Sequence, residues 1–305
     1  MYEKTASRVR KHGRLLTTAI TVGMLSFAGA GEAGATVHHQ PRRSTSPRSL
    51  LPPSIKAKGA LTVGSEIDYP PMEMFAANGT TPIGADYQLG QAIGKVLGVK
   101  VTFVNNAFAG LIPGLEAGRF DMVMSAMTDN KKREKVVNFV DYFAVGSGML
   151  VQSGNPDHIQ GLLGLCGKTT VLPQATIQVT IAQQEQARCK AAGKPAIVIK
   201  QAPTPTDTYV QLESGASVAS MIDYPVAAYT AKQSHGKLSL LPQQVGQVLP
   251  YGIAFRKHEL GLQRAVEAAV KVLMRNGTYA KILARWGVSK GAIPLSRVVV
   301  NGARS

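Results

Sequence analysis

At 305 residues, with 45% hydrophobic and 17% charged residues, the chain is long enough for about two packed domains and too apolar to stay disordered. Its formal charge of +16 raises nucleic acid as a partner, yet part of that charge lies in the first 35 residues and part in a Pro/Ser/Arg-rich stretch over 38–58. No zinc finger, helix-turn-helix or aromatic-basic strand accompanies it, so a solvated basic surface without a nucleic-acid footprint is expected.

The N-terminus carries Lys4, Arg8, Arg10, Lys11 and Arg14 before an apolar run over 15–30, followed by the small residues Ala33, Gly34 and Ala35. That order reads as a secretory signal over residues 1–35. The run is short and Gly-rich for a membrane span, and no cysteine follows it to carry a lipid. A soluble exported product without stable membrane insertion is expected, in the periplasm or outside the cell. Residues 36–58 read as a flexible linker.

A strand is expected over 60–64, ending at a polar loop over 65–69 and the turn Pro70-Pro71. Leu89, Ala92, Ile93, Val96 and Leu97 share one helical face, which Gly98 ends. A strand over 99–104 and a short helix with Leu111, Ile112 and Leu115 follow. The stretch over 118–138 reads as a strand (121–124), a polar turn (125–128) and a helix with Arg133 in its first turns. A guanidinium beside a turn rich in N–H groups, at the positive end of a helix, makes a socket for a carboxylate.

After a composition break over 146–154 a second run of strands and helices begins, with strands over 169–172, 196–200 and 218–222 and helices over 178–192 and 207–214. The last part holds a strand over 251–255 and an amphipathic helix with Leu262, Val266, Ala269, Val270 and Leu273. This alternation predicts an α/β fold with helices on the sheet faces. Cys166 and Cys189 are the only cysteines. In an exported chain an even pair reads as a disulfide, two buried thiols being the other reading. With six scattered histidines, neither a metal nor another cofactor is indicated.

The segments LTVGSEIDYPPMEMF (61–75), FAGLIPGLEAGRFD (108–121), VVNFVDYF (136–143) and YGIAF (251–255) resemble, in order and spacing, the periplasmic amino-acid-binding proteins of ABC importers, solute-binding protein family 3. The resemblance spans roughly 61–287. It implies a two-lobed periplasmic-binding-protein fold of type II, with a ligand cleft between lobes joined by two crossover strands. Residues 59–148 and 248–305 would form the first lobe and 149–247 the second, with crossovers near 146–151 and 247–251.

The same resemblance implies the site. Arg133 would hold the ligand's α-carboxylate, and Asp223 its α-ammonium, a helix cap being the other reading of Asp223. Tyr69 and Phe108 would pack on the ligand, and Ser125, Ala126 and Thr128 would form the polar turn. Within 173–178, where the family reads Gln-Gly-Thr-Thr, Ala175 replaces the glycine and Ile177 the second threonine; Thr176, Ile177 and Gln178 would line that side. Glu66 would meet the distal end of the ligand and favour a cationic or amide-bearing side chain. A monomeric, non-enzymatic protein is implied, with a free amino acid and an importer permease as partners. The alternatives on the same fold are a periplasmic dehydratase acting on prephenate-like acids and a ligand-binding sensor component.

Overall fold

A computed structural model describes residues 46–303; the signal read over 1–35 and the first part of the linker lie outside the described residues. The remainder of that linker is folded, which corrects the flexible reading. Pro47–Leu50 is a 3-10 turn and Pro53–Lys58 a helix, α1, with Leu51 and Ile55 buried. Proline begins both because its fixed φ suits a first helical turn, where no N–H is needed. Arg48 also donates to the carbonyl of Leu97 at 2.9 Å, tying the segment to the helix that ends there.

β1 (Ala60–Ser65) opens the main sheet, and β2 (Asp68–Tyr69), β3 (Glu73–Phe75) and β4 (Pro82–Ile83) form a small antiparallel sheet. Then come α2 (Ala85–Leu97), β5 (Lys100–Asn105), α3 (Leu111–Glu116), β6 (Met122–Val123), the single turn α4 (Lys131–Glu134) and the long strand β7 (Val137–Gln152). A second series follows: β8 (Thr169–Pro173), α5 (Ile177–Ala191), β9 (Val198–Ala202), α6 (Pro205–Glu213), β10 (Ala219–Asp223), α7 (Tyr224–Gln233) and β11 (Leu238–Leu240). β12 (Val245–Arg256), α8 (Leu260–Arg275) and α9 (Thr278–Arg285) complete the helices and strands.

The main sheet runs β5-β1-β6-β12-β7-β10-β8-β9, with β11 on β7. Parallel pairs lie at both ends: β5-β1-β6 on one side and β10-β8-β9 on the other. β7 and β12 stand between them, antiparallel to each other. Residues 137–144 of β7 pair with 250–256 of β12, while residues 147–151 of β7 pair with β10. The two long strands therefore join two halves of one sheet.

Core packing follows the apolar spacing. Leu89, Ile93 and Leu97 on α2 meet Leu262, Val266, Ala269 and Val270 on α8 over one face of the first half, and Leu111 and Leu115 on α3 pack with Phe120 and Phe139 on the other. Val179, Ala182 and Cys189 on α5 pack with Met149, Leu172 and Met221 in the second half. Cys189 is disulfide-bonded to Cys166, with Cα atoms 5.6 Å apart. After α9 the chain stays on the first half, where Val300 bridges Val140 and Ala292 bridges Phe143.

Candidate functional site

In α/β sheets the carboxyl ends of parallel strands carry the loops that meet ligands. Here residues at or just beyond the ends of β1, β5, β6, β8 and β10 line one cavity of about 20 Å³, far below the roughly 300–1,000 Å³ usual for ligand sites, so the two halves are drawn close around it. The structure brings every expected site residue to it. Glu66 comes from the loop after β1, Tyr69 from β2, Phe108 from the segment after β5, and Ser125, Ala126 and Thr128 from the turn after β6. Arg133 comes from α4, Thr176, Ile177 and Gln178 from the start of α5, and Asp223 from the end of β10, with Pro173 beside them.

Arg133 is positioned from three sides. Asn130 caps the turn by accepting the Arg133 N–H at 2.9 Å. The guanidinium donates to the carbonyl of Thr128 at 2.7 Å and, from the other half, to that of Ala175 at 2.9 Å, and it lies 5.2 Å from the centre of the Phe108 ring. Burial lowers its pKa to about 10, opposed by Asp223 and Asp129, so it stays cationic at neutral pH. The expectation that its own helix supplies a positive end is corrected: α4 is one turn long and has little dipole. The longer α5 takes that place, starting at the cavity with no side chain capping its first N–H groups.

Asp223 sits at the N-cap position of α7, yet its side chain makes no capping bond. One carboxylate oxygen accepts from the Tyr69 hydroxyl at 2.8 Å and the other from the Gln178 amide at 2.8 Å. Gln178 is itself held by Ser147. Burial raises the pKa of Asp223, and Tyr251, Tyr69, Gln178 and Arg133 oppose that rise. No ion pair among the described residues joins Asp223 to Arg133. The cavity thus has an anionic and a cationic wall that feel each other's charge without forming an ion pair.

The turn over 125–128 is less open than its sequence suggests. The Ser125 hydroxyl donates to Glu73 at 2.9 Å and accepts from the Glu66 N–H, and the Ala126 N–H donates to Asp86 at 2.8 Å. Ala126 therefore lines the cavity without offering its N–H. Thr128 faces Tyr251 in an isolated bridge whose bonds are made by Asp129 and Gly252, which leaves the Thr128 N–H and hydroxyl without protein acceptors among the described residues. Thr176 donates its hydroxyl to Pro173.

Glu66 is buried and accepts from the Phe108 N–H at 3.1 Å. Burial raises its pKa to about 7; the Phe108 N–H opposes this and the charge of Asp68 adds to it. Behind the turn lie Glu73 and Asp86, which sequence reasoning missed. Both are fully buried with raised pKa values, Asp86 at about 6, and burial is the leading cause in each. The signal was an acidic residue inside an apolar run, Met72-Glu73-Met74, and another opening an apolar helix. Tyr251, packed on Phe143, was read only as a strand residue; its hydroxyl is buried near Asp223.

Among the described residues no helix is long and apolar enough to cross a membrane, and no cluster of three or more His, Cys, Asp or Glu residues is arranged to hold a metal. The arginine-binding protein ArgT of Corynebacterium glutamicum is 28% identical over 247 residues, covering 81% of this chain and 80% of that protein. An ancestral arginine-binding protein bound to glutamine superposes with a TM-score of 0.69 at 32% identity, over 75% of this chain and 98% of its own. The ancestral amino acid-binding protein AncCDT-1, a precursor of cyclohexadienyl dehydratase, gives 0.69 at 31% identity over 76% and 97%. Residues 61–289, which include every residue lining the cavity, match the model of the bacterial extracellular solute-binding proteins, family 3: the chain belongs to that family.

Proposed function

We propose that the protein captures a polar or basic α-amino acid by closing its two halves on it, and delivers it outside the cytoplasm to the permease of an ABC importer. Membership of a solute-binding family makes it a binding protein and not an enzyme. The observation that carries the choice of ligand is the pair of oppositely charged walls with no ion pair between them. An α-amino acid is a zwitterion, and Arg133 with the start of α5 and the Thr128 donors suits its carboxylate, while Asp223 suits its ammonium. Because the two walls belong to different halves, a ligand touching both favours the closed form.

Charge supports the side-chain preference. Glu66, Asp223 and Arg133 ionised together leave one negative charge in a closed space, and buried unpaired charge is costly. A monocationic amino acid cancels it; with Glu66 protonated the site is already neutral, which suits an amide-bearing amino acid of zero net charge. The arginine-binding and glutamine-bound relatives agree with this preference.

A thermal-shift screen of residues 36–305 against the common amino acids and prephenate tests the reading, since a ligand bound by the native state alone raises Tm. Rises with arginine, lysine, histidine or glutamine are expected. Rises confined to acidic amino acids would remove Glu66 from its role, and a rise with prephenate alone would overturn the clamp. Arg133→Ala should weaken binding by about 3 kcal/mol, on the order of a hundredfold in Kd, by deleting charge-assisted contacts. An unchanged Kd would mean the carboxylate sits elsewhere.

A further inference from the structure

Three side-chain contacts described here cross between the halves around the cavity. Two of them, Tyr69 to Asp223 and Arg133 to the carbonyl of Ala175, use residues that line the cavity. The third does not. Asp68 on β2 accepts from the hydroxyl of Thr206 on α6 at 3.0 Å, and neither residue lines the cavity.

The chemistry of the α6 N-terminus explains why a carboxylate fits there. A helix start leaves its first N–H groups without intrahelical partners. In α6 the first position is Pro205, which has no N–H, and the N–H of Asp207 is taken by Thr204 in a reciprocal capping box. Thr206 is the first-turn residue left with both an N–H and a hydroxyl to satisfy. Asp68, supplied by the opposite half, accepts from that hydroxyl. Burial raises the Asp68 pKa, the Thr206 donors oppose that rise, and the charge of Asp207 adds to it.

We propose that Asp68 completes the cap of α6 only when the halves are together, and so acts as a positioning residue that holds the closed form without touching the ligand. This rests on the capture reading above. A bond present in the closed form and absent in the open one shifts their balance, and with it the rate at which a bound ligand escapes. Association, which takes place from the open form, is left nearly unchanged.

Stopped-flow kinetics with the amino acid that gives the largest Tm rise test the idea on Asp68→Ala, Thr206→Val, the double variant and Asp68→Asn. Asp68→Ala should raise koff by roughly three- to tenfold with kon within about twofold, as expected for one charge-assisted bond at a partly wet rim. Thr206→Val, on the opposite half, should raise koff in the same direction. The double variant should be no worse than Asp68→Ala alone, and Asp68→Asn, which keeps an acceptor, should recover part of the loss. Unchanged koff in both single variants, or effects that multiply, would overturn the proposal. If no amino acid binds even the unaltered protein, the capture reading is what fails. Small-angle scattering of the ligand-free protein then decides: a larger radius of gyration in Asp68→Ala supports the cap, and an equal one overturns it.

Discussion

Glu66 is kept close to half ionisation at neutral pH, because burial raises its pKa to about 7 against the pull of the Phe108 N–H. A cationic side chain favours the ionised form, so affinity for arginine should fall as pH drops from 8 to 5.5, by up to roughly thirtyfold. Glutamine, which carries no side-chain charge, should show a flatter profile. In the proposed binding mode Asp223 meets the ammonium that both ligands share, so its effect cancels in the ratio of the two. Titration calorimetry at both pH values measures that ratio; equal slopes would separate Glu66 from the side chain. Ala175, in the loop before α5, offers a stability test. Its φ of +63° is the left-handed region that costs an L-residue about 1 kcal/mol or more. Ala175→Gly should therefore raise Tm by about 2–4 °C, and a lower Tm would contradict this. The sequence showed alanine where relatives read glycine, but the φ at that position comes from the fold. Arg133 and Asp223 were legible because their flanking segments are distinctive. The occupied donors of Ser125 and Ala126 were not, because their acceptors Glu73 and Asp86 arrive from remote stretches.

Elements were legible where one face is apolar, as in α2 and α8, and misread where both faces are. β7 is a 16-residue strand buried along nearly its whole length, so it has no alternation, and its glycines at 146 and 148 looked like a break. Gly148 instead permits close approach: a Cβ there would lie 2.7 Å from that of Ala227 on α7. The small sheet β2-β3-β4 escaped notice because its strands are two or three residues long. The disulfide acts at this scale, fastening the turn before Cys166 to α5, the helix whose first residues line the cavity. Replacing both cysteines by serine should cost about 3 kcal/mol by the loop-entropy estimate. Denaturant titration reads the loss; an unchanged midpoint would show that the crosslink adds nothing to the fold.

Across the whole molecule, α/β alternation foretold a layered sheet, and the pairing of β6 with β12 could not be read locally because it joins distant parts of the chain. A buried acid pair lies where these parts meet. Asp129, which accepts from the N–H of Ala303, stands beside Asp141 on β7, and burial together with the charge of Asp129 raises the pKa of Asp141 to about 8. A carboxyl whose folded pKa is raised adds stability below the ordinary carboxylate range and loses it as pH rises through the folded value. The unaltered protein should lose more Tm between pH 6 and pH 9 than Asp141→Asn, which cannot ionise. Parallel profiles would rule out that contribution.

The route of the chain also sets an order of assembly. The strands and helices from β8 to β11 are contiguous, so that part of the second half is complete once residue 240 has been made. The first half waits, because Val123 finds its neighbour Ala254 only when β12 exists, and Phe139 finds Asn301 only at the far end of the chain. Polypeptides emerge from the ribosome N-terminus first. The earlier-made half thus lacks these sheet partners until the last residues of the chain have been made.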